Sequence, residues 1–140
     1  MITVEKILFL RHVPLFSSMP LSELGLLATI AEEEIYSAGE HILRQGEHGE
    51  SMYLIVEGEV TVHSEEDQLA VLGSKNYFGE LSIIDGEPRS ASVSAHNDCL
   101  LLKINKDKFH EILTRNPDSA MAVIQALTRD LRIARNNKKK

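Results

Sequence analysis

The sequence predicts a mainly β fold, a barrel or jelly roll, with helices before and after it. Between residues 34 and 105, short β-branched and aromatic runs alternate with glycine-containing or acidic turns. Short strands at near-regular spacing are typical of barrels and jelly rolls, whereas the apolar residues near both ends of the chain have helical spacing. We therefore expect a single domain over residues 1–140, a length at which a chain buries about two-thirds of its unfolded surface.

Two short helices are expected first, in a helical lead over residues 1–31. A run of apolar residues with helical spacing ends before Pro14. A second helix is expected to have Pro20 in its first turn and to continue to Ala31, because proline is tolerated at the start of a helix.

The β region is expected over residues 32–105. Glycines fall between the apolar runs, where tight reversals are needed, and the acidic triplet at residues 65–67 predicts a solvated hairpin tip. The predicted strands are Ile42-Leu43, Met52–Val56, Val60–His63, Leu69–Leu72, Ala91–Ala95 and Leu100–Ile104.

Two helices are expected after the strands. The first covers residues 106–114, and the second begins near Asn116 as its cap and ends near Arg135. The second helix has one continuous apolar face, which can pair with another copy of the chain, pack on the chain's own β region, or do each over part of its length. That face contains Ala120, Ile124, Leu127, Leu131 and Ala134.

Charge is distributed unevenly along the chain. Residues 106–140 contain 9 Lys or Arg and 4 Asp or Glu, which leaves 6 and 17 before them. A body this acidic is a poor nucleic-acid surface, so any bound anion has to be held by locally arranged donors. Between residues 45 and 102 the only Lys or Arg side chains are Lys75 and Arg89, which marks them as candidates for such a role.

The composition also indicates a compartment. No apolar run approaches the roughly 20 residues needed to span a bilayer. The first residues also lack the succession of basic, apolar and small residues that is typical of a signal peptide. The single cysteine, Cys99, cannot form an internal disulfide and is expected in the core, as in a reducing compartment. We therefore expect a cytoplasmic protein, or a domain on the cytoplasmic face of a membrane-protein parent.

One segment, Phe78–Ala91, differs from ordinary strands and turns. Gly79 allows a close approach of the backbone to a ligand, and a short helical turn over residues 80–84 can point free amides at an anion. Pro88 fixes the approach to Arg89, whose guanidinium can donate two parallel hydrogen bonds to phosphate oxygens. The two amides after Arg89 can complete this ring of donors.

A carboxylate in the same segment adds a site for a sugar. Glu80 can accept hydrogen bonds from a ribose hydroxyl, so the residue types together describe a cradle for a sugar phosphate. The alternative is that Arg89 pairs on the surface with Glu80, Asp85 or Glu87, an interaction worth about 0–1 kcal/mol. The residue types alone leave both interpretations open.

The segment resembles the phosphate-binding cassette of the cyclic nucleotide-binding domain family, found in cAMP receptor proteins, protein kinase regulatory subunits and cyclic nucleotide-gated channels. In that cassette, Phe-Gly-Glu-Leu is followed by a short spacer and Pro-Arg-Ser/Thr/Ala-Ala, and residues 78–91 match every position. The similarity extends from Val13–Phe16 through Gly46 and residues 52–60 to the C-terminal helices. It implies an eight-stranded antiparallel, jelly-roll-like β-roll, lid helices over residues 106–136 and a basic tail over residues 137–140.

The resemblance also implies the role of each site residue. The cyclic phosphate would bind at Arg89 and backbone amides, and the ribose 2′-hydroxyl would bind at Glu80. The binding residues expected on this basis are Gly79, Glu80, Leu81, Ser82, Arg89, Ser90 and Ala91. The base packs on roll strands and the lid helix in this family, which places it near Val62, Leu69, Ala70, Leu127 and Leu131.

The choice of purine is left between cAMP and cGMP. Ser90 occupies a position where a hydroxyl can help to hold a guanine amino group, although serine also occurs there in family members that bind cAMP. Apart from Asp130, the lid helix has no obvious carboxylate to pair with a guanine edge. We therefore favour cAMP as the ligand.

No enzyme and no metal site are expected. His41, His48, Glu50 and His63 lack the His-x-His pair on one strand face that a metal-dependent jelly-roll enzyme would need. Ser82, Ser90 and Ser92 have no base nearby in the sequence to activate them as nucleophiles.

The C-terminal basic stripe and tail could contact nucleic acid or a membrane, but a solvated helix face and a frayed end are expected instead. It consists of Arg129, Arg132, Arg135 and residues 138–140. Family members that act on DNA have a helix-turn-helix after the roll, whereas this sequence ends where that motif would begin. An output domain is therefore expected in a longer parent protein or in a partner.

Two functions are compatible with these observations. The first is a regulatory sensor, in which cyclic nucleotide binding moves the C-terminal helices and acts on an attached or partner output module, with a homodimer possible through the last helix. The second is a ligand-free β-roll that serves as an interaction or dimerisation scaffold. The intact cassette favours the sensor, because a scaffold does not require Glu80 and Arg89 together.

Overall fold

The computed structural model describes residues 1–65 and 67–138, without the side chain of Lys138. Glu66 of the predicted hairpin tip and two residues of the predicted basic tail, Lys139 and Lys140, lie outside the described residues. The chain divides into two compact units. Ile30–Phe109 form the roll unit, and Met1–Thr29 with the chain from His110 onward form the helical unit.

The roll unit contains eight antiparallel strands in two four-stranded sheets, with the strand orders β1-β8-β3-β6 and β2-β7-β4-β5. The predicted β-roll is therefore confirmed. Its core combines aromatic and branched side chains such as Tyr53, Ile55 and Phe78. The strands are β1 (Glu32–Tyr36), β2 (His41–Leu43), β3 (Ser51–Glu57), β4 (Val60–Ser64), β5 (Asp67–Leu72), β6 (Tyr77–Phe78), β7 (Ser92–Ala95) and β8 (Cys99–Asn105).

Between β6 and β7 the chain forms one short helix, α3 (Glu80–Asp85), where the sequence predicts a helical turn. Gly79 and Gly86 flank it with φ angles of +84° and +75°, a backbone conformation that glycine adopts without steric cost. These two glycines therefore set where the helix begins and ends.

The helical unit contains α1 (Thr3–Leu10), α2 (Leu21–Ile30), α4 (Lys106–Arg115) and α5 (Pro117–Lys138), of which α2 and α4 extend into the roll unit. The four helices lie where the proline and spacing signals predict them. Within the described part of the chain, none of the helices combines the length and apolar character required to cross a bilayer.

The buried face of α5 differs from the predicted apolar face. Ala122, Val123 and Ala126 are buried, whereas Ile124 and Leu131 of the predicted face are 53% and 59% exposed. The buried residues therefore lie on a neighbouring face of the helix, and Ala120 and Leu127 of the predicted face are only partly buried. From Thr128 to Asn137 the helix is exposed.

Candidate functional site

Arg89 is a buried cation, with 6% of its surface exposed. Its Nη1 donates a hydrogen bond to the carbonyl oxygen of Gly79 at 2.8 Å, and its Nη2 donates to that of Ser51 at 2.6 Å. Burial lowers the pKa of Arg89, and the neighbouring Tyr53 and Glu80 oppose that shift. Because an arginine side chain remains protonated in proteins, the roll unit holds a fixed positive charge at this point.

The backbone of Arg89 is held by the loop between β2 and β3. The Arg89 amide donates to the carbonyl oxygen of Glu47 at 2.8 Å, and the Gly46 amide donates to the carbonyl oxygen of Arg89 at 2.9 Å. This loop and the start of β3 therefore position both the main chain and the guanidinium of Arg89.

Two glycines make room for the guanidinium. A Cβ atom at Gly49 would lie 2.7 Å from Arg89 Cζ and 2.6 Å from Ser82 Cβ, although carbon atoms pack at about 3.5–4.0 Å. A Cβ atom at Gly79 would lie 2.9 Å from Arg89 Nη1. The guanidinium thus lies between two segments of backbone that have no side chain to displace it.

A cavity of about 220 Å³ within the roll unit borders the guanidinium. Glu80, with its side chain partly buried, and the buried Ser82 lie on its wall, next to apolar side chains from five strands. The lining residues are Leu43, Val62, Leu72, Tyr77, Phe78, Gly79, Glu80, Leu81, Ser82, Arg89, Ser90, Ala91 and Val93.

The structure brings together all seven residues for which the family resemblance implies ligand binding, since each of them lines this cavity. Of the predicted base contacts, Val62 also lines it. Leu69 and Ala70 lie on β5, outside the set of described residues that line the cavity, and Leu127 and Leu131 lie on α5 in the helical unit. The roles of all these residues remain predictions.

Sequence reasoning did not identify several residues of the site. Apolar cavity residues such as Leu43 and Val93 come from strands that carry no motif. Ser51 binds the guanidinium through its carbonyl oxygen, which every residue has, so its side chain gives no signal in the sequence. Gly49 was recognisable as a glycine in a loop, but its contact with Arg89 depends on the fold.

A second cavity of about 200 Å³ also borders Arg89. Charged side chains dominate its rim, and Tyr53, which lines it, stacks on Phe78 of the first cavity with ring centroids 5.2 Å apart. Its lining residues are Ile42, Leu43, Arg44, Glu47, His48, Glu50, Ser51, Tyr53, Arg89 and Lys103.

The four residues considered as metal ligands lie in two places. His48 and Glu50 line the second cavity, whereas His41 and His63 lie on β2 and β4. Among the residues described, no group of three or more His, Cys, Asp or Glu side chains is arranged to hold a metal ion.

Comparison with known proteins gives a consistent result. The family model for the cyclic nucleotide-binding domain matches residues 33–116. A cyclic nucleotide-gated potassium channel of Rhizobium etli is 38% identical over 111 residues, which are 79% of this chain and 31% of the channel. A cAMP-dependent protein kinase regulatory subunit of Emericella nidulans is 36% identical over 107 residues, which are 75% of this chain and 26% of the subunit.

The fold is also similar to solved structures. The regulatory domain of Toxoplasma gondii PKA, crystallised with cAMP, has a TM-score of 0.78 and 26% identity, over 90% of this chain and 50% of that one. The chain thus spans about a third or less of the length of the two relatives and half of the solved structure.

Proposed function

Because the chain belongs to the cyclic nucleotide-binding domain family, we propose that it is a regulatory sensor that binds cAMP in the cavity beside Arg89 and performs no catalysis. The observation that supports this most strongly is that seven residues of one short segment, 79–91, line a single cavity with a buried guanidinium on its wall. The two relatives are a kinase regulatory subunit and a channel, which agrees with a regulatory function.

The phosphate would be bound by Arg89 and by backbone amides. Two of the five guanidinium N–H donors point to the carbonyl oxygens of Gly79 and Ser51, which fixes the plane of the group. The other donors would bind two phosphate oxygens through charge-assisted hydrogen bonds, which are about twice as strong as neutral ones. The amides of residues 81, 82, 90 and 91 would supply further donors to the same group.

The sugar and the base would occupy the rest of the cavity. Glu80 would accept a hydrogen bond from the ribose 2′-hydroxyl, because its carboxylate lines the cavity next to the cassette amides. The purine would pack on the apolar wall formed by side chains such as Val62, Leu72 and Val93. A cavity with one polar corner and an apolar remainder suits a ligand that is a charged phosphate at one end and a flat base at the other.

We favour cAMP over cGMP. The Emericella nidulans relative is named as cAMP-dependent and the Toxoplasma gondii structure contains cAMP, which supports an adenine ligand. Ser90 lines the cavity and is exposed, so a contact from its hydroxyl to a guanine amino group is the feature that would favour cGMP.

Binding would act on an output module through a shift of the C-terminal helices, in the cytoplasm or on the cytoplasmic face of a membrane-protein parent. A ligand can shift such an equilibrium only by the difference between its affinities for the two states. A hundredfold preference supplies about 2.7 kcal/mol, which is enough to make a minor state the main one. Pairing of two copies through α5 is a further prediction of this model.

The proposal is tested by isothermal titration of the nucleotide-free chain with cAMP, cGMP and AMP. We expect saturable binding of cAMP, weaker binding of cGMP and none of AMP, because the proposed site would bind a cyclic phosphate. If neither cyclic nucleotide gives heat or raises the melting temperature, the ligand-free scaffold is the better account.

A further inference from the structure

Two histidines from different strands meet at one serine hydroxyl in the roll unit. His63 Nε2 lies 2.9 Å from Ser94 Oγ, and the same oxygen lies 3.3 Å from His41 Nδ1. The two imidazole rings are 6.0 Å apart at an angle of 61°. Because β7 lies between β2 and β4, the pair forms a bridge over the middle strand.

The pair lies on the face of the sheet opposite the cavity. Val62 and Val93 line the cavity, and side chains alternate between the two faces of a strand, so the next residues, His63 and Ser94, point away from it. A register irregularity between His41 and Leu43 places His41 on the same outer face although Leu43 lines the cavity.

We propose that His41, His63 and Ser94 form a binding site for a late first-row transition metal, Zn²⁺, Ni²⁺ or Cu²⁺. Imidazole is the commonest protein ligand for these ions. A metal–nitrogen bond is about 2.0–2.1 Å long, so the ligand atoms around a tetrahedral or octahedral ion are about 2.9–3.4 Å apart. The two nitrogen–oxygen separations are those of hydrogen bonds and also fall within that interval, so a bound ion would replace these two hydrogen bonds.

The site would be weak and exchangeable. It offers two imidazoles and a neutral hydroxyl, whereas structural zinc sites have four protein ligands and catalytic sites have three. Water would complete the coordination shell, because His41 is exposed and His63 is only partly buried. The trio has no carboxylate, so we expect no binding of Mg²⁺ or Ca²⁺, which prefer oxygen ligands.

The first test uses the unmodified chain without nucleotide. Zn²⁺ is titrated by calorimetry at neutral pH, with Mg²⁺ as the control, and the histidine ring signals are followed by NMR during addition of Ni²⁺ or Cu²⁺. We expect one Zn²⁺ per chain and selective broadening of the ring signals of His41 and His63. No saturable binding at millimolar Zn²⁺, or broadening centred on His48, would overturn the proposal.

The second test assigns the ligands. His63→Gln and His41→Asn should each lower the affinity for Zn²⁺ by about tenfold or more, because each removes one of the two imidazole ligands. At stronger metal sites, even the loss of a group that only supports a ligand costs about 10- to 100-fold in affinity. His96→Gln is the matched control, because His96 is exposed and outside the trio. Unchanged affinity in the double variant of His41 and His63 contradicts the assignment. Neither test requires the chain to bind a nucleotide.

Discussion

Gly49→Ala should weaken nucleotide binding although Gly49 does not line the cavity that we assign to the ligand. The backbone at Gly49 is not in the left-handed region, so an alanine can adopt its conformation. The added methyl group would meet Ser82 and the guanidinium of Arg89. The substitution therefore displaces Arg89, Ser82 or both, by steric contact alone.

The structure sets the size of the effect. The new Cβ atom would lie 2.7 Å from Arg89 Cζ, so that a normal contact of at least 3.5 Å requires a displacement of about 0.8 Å. Such overpacking costs about 1–3 kcal/mol of stability. A displaced guanidinium also loses alignment with the phosphate, and one charge-assisted hydrogen bond is worth about 1.5–3 kcal/mol, or about 10- to 100-fold in affinity.

Two measurements test this prediction. The dissociation constant for cAMP is measured by calorimetry, and the free energy of unfolding by urea titration, for the parent and for Gly49→Ala. Gly73→Ala is the matched control, because it lies in the roll unit with no atom within 4 Å of its added Cβ and no positive φ. If Gly49→Ala binds cAMP as tightly as Gly73→Ala does, the positioning of Arg89 by this loop is not needed for binding.

Three further predictions follow from the site and the core. Arg89→Ala should weaken cAMP binding by about 2–5 kcal/mol and abolish binding at micromolar ligand in calorimetry, because it removes a buried charged contact. Arg129→Ala is the control, because Arg129 is exposed. Unchanged binding by Arg89→Ala would mean that the phosphate site is wrongly assigned. Glu80→Gln should weaken binding of cAMP by about tenfold or more but should hardly affect binding of 2′-deoxy-cAMP, because in the proposed site the carboxylate would accept a hydrogen bond from the 2′-hydroxyl. Equal losses for both ligands in competition assays would remove Glu80 from the ribose site. Burial raises the pKa of the Cys99 thiol. Above the ordinary thiol pKa of about 8.5, the unfolded chain therefore releases a proton that the native chain keeps. The free energy of unfolding should fall as the pH rises above that value. Urea unfolding of Cys99→Ala under reducing conditions should show a smaller fall between about pH 8.5 and 9.5, below the range in which tyrosines titrate, and an equal fall would exclude Cys99 as its source.

The elements that the sequence predicts are those with local signals. Pro20 and Pro117 mark helix starts, and β-branched runs mark six of the eight strands. β1, Glu32–Tyr36, was missed because three of its five residues are glutamates, and it forms through backbone pairing with β8. β6 has two residues, which is too short for a periodic pattern.

Apart from Val62, the residues of the candidate site were predictable only where they are contiguous in the sequence. The cassette from Gly79 to Ala91 has a motif, so its residues were identified from the sequence. Arg89 is held by the carbonyl oxygens of Ser51 and Glu47, and Gly49 leaves room for its guanidinium. Every residue has a carbonyl oxygen, so the residue types at Ser51 and Glu47 do not reveal these contacts. Likewise, His41 and His63 meet only because β2 and β4 pair with opposite edges of β7.

The most direct test of the central claim is the change in backbone amide chemical shifts when cAMP is added to the ¹⁵N-labelled chain. We predict that the largest changes occur at Leu81, Ser82, Ser90 and Ala91, with a downfield change of the Arg89 side-chain Nε–H signal, because these groups would bind the phosphate. Saturable binding with the largest changes around the second cavity, at Arg44, Glu47 and Lys103, would place the ligand elsewhere and contradict the account.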